Sequence, residues 1–174
     1  DPRGSGGCVS CTANSFTTGL NSPDISSCLC GDNLYMDRGV CKNCPQGSST
    51  TSPGKTSVTA CLCHKGTYMP LNTRMACRPC PTGMDCPRGS SEANEQYLSE
   101  FNKTEDHEFM KLLPRYWASA SDPGSVFECR SDKHCPGDRY PGDACSAHLI
   151  LKSCDHCETG YYWTGRECQQ CASI

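Results

Sequence analysis

The spacing of the cysteines constrains the fold of this chain more than any other feature. The pattern Cys-x2-Cys-x16-Cys-x-Cys starts at Cys8 and starts again 33 residues later at Cys41. A third copy starts at Cys77 and stops at Cys86, and part of the pattern returns after Cys157. Self-similarity at a fixed period is typical of tandem modules, so the chain is expected to be a repeat array.

The composition indicates that disulfide bridges take the place of a large apolar core. Cysteine supplies 18 of the 174 residues, whereas Phe, Leu, Ile and Val together supply only 21. Globular chains have at least roughly 20% of those four residues, and a cysteine share near 10% is typical of secreted disulfide scaffolds. We therefore expect a secreted or extracellular protein, with no cofactor.

Charge and hydropathy exclude two classes of partner. The net charge of -3 includes no strongly basic stretch, so nucleic acid is not an expected partner. The longest apolar run, residues 149–151, is far short of the ~20 residues that span a bilayer. No signal peptide precedes Asp1, so we expect a processed chain or part of a longer polypeptide.

Aromatic residues follow the repeat. Tyr35, Tyr68 and Tyr162 each come after a Cys-x4 spacing, in segments that suit short β-hairpins. A ring is a large share of the apolar area in so small a module, so these tyrosines are interpreted as packing residues. Burial is expected for Tyr162 and Trp117, and partial exposure for Trp163.

One long interval, from Pro87 to Glu128, lacks cysteine and is acidic. Helix-forming residues precede Pro114, and three apolar side chains lie at helical spacing, which predicts a short helix at about 104–113. Asn102 begins the chain's sequon for N-glycosylation, and it is expected to carry a glycan on this exposed insert.

Several segments resemble ephrin-receptor-like cysteine-rich repeats, which belong with tumour necrosis factor receptor and EGF-like modules and form arrays in protist and algal surface proteins. The resemblance is carried by Cys11-Thr-Ala-Asn-Ser15, Cys41-Lys-Asn-Cys-Pro-Gln-Gly47 and Cys77-Arg-Pro-Cys-Pro-Thr-Gly83, and Leu113-Pro-Arg-Tyr-Trp117 is similar to a segment that often follows such repeats. It implies extracellular modules and says little about biological role.

The last six cysteines before Cys171 are similar in order to an EGF-like module, with Gly160-Tyr161 between the fifth and the sixth. That resemblance implies three pairs: Cys129 with Cys145, Cys135 with Cys154, and Cys157 with Cys168. Calcium is not predicted, because Ser125-Val-Phe-Glu128 offers a single carboxylate ahead of the module.

For the repeats we favour sequential pairing, although a nested pairing of Cys28 with Cys41 and Cys30 with Cys44 stays open. Cys8 and Cys171 are then left over, in positions that would pair with a neighbouring module or another copy. The sequential pairs are Cys11 with Cys28, Cys30 with Cys41, Cys44 with Cys61, Cys63 with Cys77, and Cys80 with Cys86.

Metal and enzyme chemistry are weaker interpretations. The Cys-x2-Cys pairs could form zinc knuckles, but Cys-x-Cys pairs interleave with them and the histidines keep no common register, so no metal is expected. No pair lies in a βαβ setting suited to redox catalysis, and nothing resembles a nucleophile elbow. The chain is not expected to be an enzyme.

The predicted fold is small and disulfide-rich, an elongated, rod-like series of modules with short β-hairpins and one helical insert. The predicted function is a structural protein that assembles with copies of itself, or with neighbouring modules and glycans, into a coat, appendage or filament. A ligand-binding receptor ectodomain is the alternative, and a zinc-binding module a distant third. The predicted boundaries are 1–40 for repeat 1, 41–76 for repeat 2, 77–90 for a truncated repeat 3, 91–128 for the insert, and 129–174 for the EGF-like module and the start of a next repeat.

Overall fold

A computed structural model describes residues 10–19, 22, 24–71, 76–92 and 109–172. Sixteen β-strands of two to four residues and three single-turn 3-10 helices occur within them. Every strand pairs with one other strand only, so the sheets are two-stranded. Isolated two-stranded ribbons are marginal in water, so other constraints must hold these modules together. No helix in the described ranges is long and apolar enough to cross a membrane.

Eight disulfide bridges supply that constraint, and they confirm the small disulfide-rich fold class. All five sequential bridges predicted for the repeats are formed, which excludes the nested pairing. The chain divides into two compact units, Asp1–Leu62 and Cys63–Ile174. The eight bridges are Cys11–Cys28, Cys30–Cys41, Cys44–Cys61, Cys63–Cys77, Cys80–Cys86, Cys129–Cys135, Cys145–Cys154 and Cys157–Cys168.

The first unit contains three strand pairs and two 3-10 turns. The longest pair is a hairpin whose two turn residues, Arg38 and Gly39, both have positive φ angles (50° and 80°). Two successive left-handed residues form the hairpin turn that matches the right-handed twist of strands. The elements are β1 Ser15–Phe16, η1 Ile25–Ser27, β2 Leu29–Cys30, β3 Leu34–Asp37, β4 Val40–Asn43, β5 Ser48–Ser49, η2 Val58–Ala60 and β6 Leu62–Cys63, with β1 paired to β2, β3 to β4 and β5 to β6.

The 33-residue sequence repeat is also a structural repeat. The turn η1 begins after Asp24, whose carboxylate accepts a hydrogen bond from the Ser26 N–H at 2.7 Å. Thirty-three residues later η2 begins after Ser57, whose hydroxyl accepts from the Thr59 N–H at 3.2 Å. In both repeats a short polar side chain caps the start of the turn, and a bridged cysteine follows its end.

The second unit contains five antiparallel strand pairs. It has two apolar clusters, one built around Met84, Met110 and Leu112 and the other around the last three bridges. Trp117 is half-buried and packs against both clusters. The elements are β7 Thr67–Tyr68, β8 Arg78–Pro79, β9 Met84–Asp85, β10 Lys111–Leu112, β11 Tyr116–Trp117, β12 Phe127–Glu128, β13 Leu149–Ile150, η3 Lys152–Cys154, β14 His156–Cys157, β15 Tyr161–Trp163 and β16 Cys168–Gln170, paired β7 with β8, β9 with β10, β11 with β12, β13 with β14 and β15 with β16.

The helix predicted at 104–113 is wrong over its described end, and residues 104–108 lie outside the described ranges. Lys111–Leu112 is a strand paired with Met84–Asp85. The Leu112 N–H also donates to the Arg139 carbonyl at 2.7 Å, so the backbone is bonded on two sides. Extended backbone lets Met110 and Leu112 both enter the core, and Pro114 disfavours helical backbone at the residue before it.

Candidate functional site

The terminal module, residues 129–172, brings together three chemically distinctive features of the described chain. They are a cluster of bridged sulfurs, two contacts between a histidine and an aromatic ring, and an exposed free thiol. Three bridges and the pairs β13–β14 and β15–β16 hold these groups in place. We therefore treat this module as the candidate site.

The sulfur cluster consists of the bridges Cys129–Cys135 and Cys145–Cys154. The Sγ atoms of Cys135 and Cys154, which belong to different bridges, are 3.3 Å apart. The Sγ atoms of Cys129, Cys135 and Cys154 all lie within 4.8 Å of one another, and these three residues are at most 2% exposed. Cys145 is half-buried, so it is the most accessible of the four cysteines.

The cluster corrects the pairing that the EGF-like resemblance implies. The pairs of Cys129 with Cys145 and Cys135 with Cys154 are wrong, while Cys157 with Cys168 is confirmed. A tight turn explains the difference, because the N–H groups of His134 and Cys135 both donate to the Ser131 carbonyl. That turn brings the Cα atoms of Cys129 and Cys135 to 6.2 Å, within bridging range.

The same three sulfurs have the spacing of a metal site, which bears on the zinc interpretation. Zinc binds cysteine as the thiolate. Cys129, Cys135 and Cys154 are each consumed in a disulfide, so none of them offers a thiolate in this state. The chemistry open to the cluster is thiol–disulfide exchange.

His134 is enclosed beside the cluster. Its ring lies 4.4 Å from the Trp163 ring, centroid to centroid, and its Nδ1 is 2.8 Å from the Ser131 hydroxyl. The residue is 5% exposed. Burial lowers the pKa of His134, the charge of Arg130 lowers it further, and Asp155, which pairs with Arg130 at 3.6 Å, partly opposes the effect.

A second contact between a histidine and an aromatic ring also involves strand β15. The His148 and Tyr161 rings are stacked with centroids 4.0 Å apart, and His148 Nδ1 is 2.9 Å from Glu158 Oε2. Tyr161 and Trp163 are two residues apart in β15, so both side chains point to one face of the hairpin. The aromatic rings that contact the two histidines therefore lie on one face of this hairpin.

The position of Tyr162 in β15 corrects the prediction made for it. Tyr162 lies between Tyr161 and Trp163 in the strand and points to the opposite face, where it is 51% exposed and its hydroxyl donates to Gln169. Its predicted burial is wrong. Tyr68 is buried and Tyr35 half-buried, and the expected partial exposure of Trp163 is confirmed.

Cys171 is an exposed free thiol held in the register of bridged cysteines. Its N–H donates to the Gly160 carbonyl at 2.8 Å. The same bond runs from Cys44 to Asn33 at 3.0 Å and from Cys80 to Gly66 at 2.9 Å. Cys44 and Cys80 each form a bridge to a cysteine further along the chain, so Cys171 is the third member of this series.

Two predicted site residues, Cys8 and Asn102, lie outside the described residues. The other predicted cysteines all form bridges, apart from Cys171. Sequence reasoning missed the contact between the two bridges and the burial of His134, because neither has a local pattern. The one usable signal was Ser131, three residues before His134, which suits a tight turn.

We predict that acid destabilises the terminal module through His134. Its pKa in the folded protein is below the ordinary value of 6.5, so the unfolded state binds more protons. The stability that neutral His134 contributes is complete above about pH 6.5 and is lost as the pH falls through the lowered value. Thermal unfolding followed by tryptophan fluorescence should show a lower Tm at pH 5 than at pH 7.

The control for this prediction is a pair of variants. His134→Phe retains a ring against Trp163 but cannot titrate, so its Tm should change less between pH 7 and pH 5. His156→Gln removes an exposed histidine and should keep the wild-type pH dependence. Equal pH dependence in wild type and His134→Phe would contradict the role given to His134.

No family model, curated protein or solved structure matches this chain.

Proposed function

We propose that the chain is a non-enzymatic extracellular structural segment that joins copies of itself into a coat, appendage or filament. The observation that carries the proposal is the exposed thiol of Cys171, held in the register of Cys44 and Cys80. Sixteen other cysteines are bridged, and Cys44 and Cys80 each bridge to a cysteine that follows them, so the exposed thiol of Cys171 suits pairing with a further module or with another copy.

Backbone hydrogen bonds that recur between successive modules support the same proposal. In the first repeat, Met36 N–H donates to the Lys55 carbonyl at 2.7 Å, and the Cys30 carbonyl accepts from Gly54 N–H at 2.9 Å. Both bonds join repeat 1 to repeat 2. Repeat 2 therefore covers the backbone edge of repeat 1 that contains Cys30 and Met36.

The second repeat forms the same two bonds. Met69 N–H donates to the Ser90 carbonyl at 2.9 Å, and the Cys63 carbonyl accepts from Gly89 N–H at 2.8 Å. The corresponding groups of the terminal module are Trp163 N–H and the Cys157 carbonyl. We propose that another copy, or a further module, pairs with them alongside Cys171.

The extracellular placement rests on chemistry and on the resemblance of the repeats. Disulfides in this number persist in oxidising compartments. The likeness to ephrin-receptor-like repeats, the Ser- and Thr-rich loops and the sequon at Asn102 are consistent with a glycosylated surface protein. A fold likeness alone is a weak basis for function, so the proposal depends on Cys171 and the module edges.

Size-exclusion chromatography with light scattering and negative-stain electron microscopy of the native protein test this proposal. We expect filaments or covalent multimers that survive denaturation without reductant. Cys171→Ser should shift the covalent species towards monomer, while the matched control Ser146→Ala should not. A stable monomer at all concentrations would contradict self-assembly.

A receptor ectodomain is the second candidate, and an open cavity in the first unit favours it. The cavity has a volume of about 320 Å³ and is lined by Ile25, Leu29 and Met36 among others. Ligand sites usually have volumes of roughly 300 to 1,000 Å³ and mainly apolar linings. A monomer that binds a partner, and loses that binding on Ile25→Asp, would favour this function.

A further inference from the structure

The sulfur cluster differs from the other bridges of the described residues because its two bridges lie in contact through their buried sulfurs. When a thiolate attacks one sulfur of a disulfide, the other sulfur leaves as a thiolate. At Cys145–Cys154, the sulfur on the buried side is Cys154 Sγ, which lies 3.3 Å from Cys135 Sγ of the neighbouring bridge. No other group of three cysteine sulfurs this close occurs among the described residues.

Exposure sets the direction of attack on this pair of bridges. Cys145 is half-buried, whereas Cys129, Cys135 and Cys154 are at most 2% exposed. An external thiolate therefore reaches the cluster at Cys145 Sγ, and Cys154 is the leaving group. Exchange that starts at Cys145 can therefore pass inward to the second bridge, Cys129–Cys135.

We infer that the exposed Cys171 thiolate of one copy attacks Cys145 of a second copy and joins the two covalently; this inference rests on the proposed self-assembly. The Cys171–Cys145 bond forms as the Cys145–Cys154 bond breaks. The Cys154 thiolate then attacks Cys135, which forms Cys135–Cys154 and releases Cys129. Cys129 takes up the proton that Cys171 lost.

The exchange balances without an oxidant. One free thiol, Cys171, is consumed and one free thiol, Cys129, is produced, while the number of disulfides stays the same. In an ordinary bridge the leaving thiolate remains beside the new bond and can reverse the attack. Here the leaving thiolate is consumed by the second bridge, and the product thiol lies at a residue only 2% exposed.

Cys171 is the attacking group because it is the exposed free cysteine among the described residues. The link between molecules then has a defined polarity, from the end of one terminal module to the sulfur cluster of the next. The attacked copy keeps its own free Cys171 and the attacking copy keeps an intact sulfur cluster, so the reaction can continue at both ends into a chain of copies. This head-to-tail arrangement generates open filaments unless the rotation closes a ring.

The test uses the full chain carrying Cys8→Ser, purified without reductant and held at pH 8 under anaerobic conditions. Multimers are separated on a non-reducing gel, free thiols are alkylated, and peptides are mapped by mass spectrometry. We expect a Cys145–Cys171 bridge between copies, a Cys135–Cys154 bridge within one copy, and alkylated Cys129. Adding Cys171→Ser should abolish the covalent species.

A double variant, Cys129→Ser with Cys135→Ser, tests the relay itself. It keeps the Cys145–Cys154 bridge and removes the second one, so dimers should form but be returned to monomer by a small monothiol more readily than wild-type dimers. If that variant does not fold, the peptide map of the Cys8→Ser protein decides by itself.

The outcomes separate this inference from the proposed function. Multimers joined through Cys171–Cys171, multimers that need air to form, and non-covalent filaments would each overturn the exchange and leave self-assembly standing. An intramolecular Cys145–Cys171 bridge would also overturn it. A protein that stays monomeric without such a bridge would overturn both.

Discussion

Reducing the eight disulfides is expected to unfold the chain completely at room temperature. A bridge closing a loop of ~15 residues contributes about 3 kcal/mol in the loop-closure model. A typical domain has only about 5–15 kcal/mol of net stability, so the loss of eight bridges exceeds what packing supplies. Near-ultraviolet circular dichroism should collapse on adding a phosphine reductant, and proteolysis should become rapid.

Two double variants make this prediction quantitative. Removing Cys44–Cys61 opens a separation of 17 residues, whereas removing Cys80–Cys86 opens one of 6. Loop-closure entropy alone makes the first loss larger by about 1 kcal/mol. Denaturant unfolding of the two cysteine-to-alanine pairs measures the difference. If the reduced protein could be alkylated at its cysteines and still kept its near-ultraviolet signal, the fold would not depend on the bridges.

The repeats could be predicted from sequence because their determinants are local and recur. The 33-residue spacing places Asp24 and Ser57 at the same capping position, and the five sequential bridges follow the same order along the chain. The hairpins at Tyr35, Tyr68 and Tyr162 are likewise formed where the Cys-x4-Tyr spacing predicts them. Period and turn chemistry were sufficient here.

The remaining features depend on partners that are distant in sequence. The segment before Pro114 has helix-forming residues, but Met84 and Arg139 pair with its backbone on both sides and extend it. The EGF-like order of cysteines does not include the turn at Ser131, which selects Cys129–Cys135. The contact of the His134 ring with the Trp163 ring joins residues with no common pattern, so only the folded chain reveals it.

The substitution Gly83→Ala is expected to destabilise the protein strongly, because the glycine sits against a packed aromatic ring. Gly83 has a φ of +87°, and a Cβ there would overlap the ring carbons of Tyr116. Tyr116 packs against the first apolar cluster, and the Leu113 N–H donates to the Gly83 carbonyl at 2.8 Å, so neither side can move freely. Strain and overpacking together should cost about 3 kcal/mol.

Gly160→Ala is the matched control, since Gly160 has a φ of +89° and a Cβ added to it would have nothing within 4 Å. It retains the backbone strain without the overlap and should cost about 1 kcal/mol. Tyr116→Ala completes a double-mutant cycle, because Gly83→Ala should cost much less once the ring is gone. Urea unfolding with the disulfides intact measures the free energies of all these variants. If Gly83→Ala and Gly160→Ala were equally destabilising, or if Tyr116→Ala gave no rescue, the contact between Gly83 and Tyr116 would not be what fixes this turn against the core.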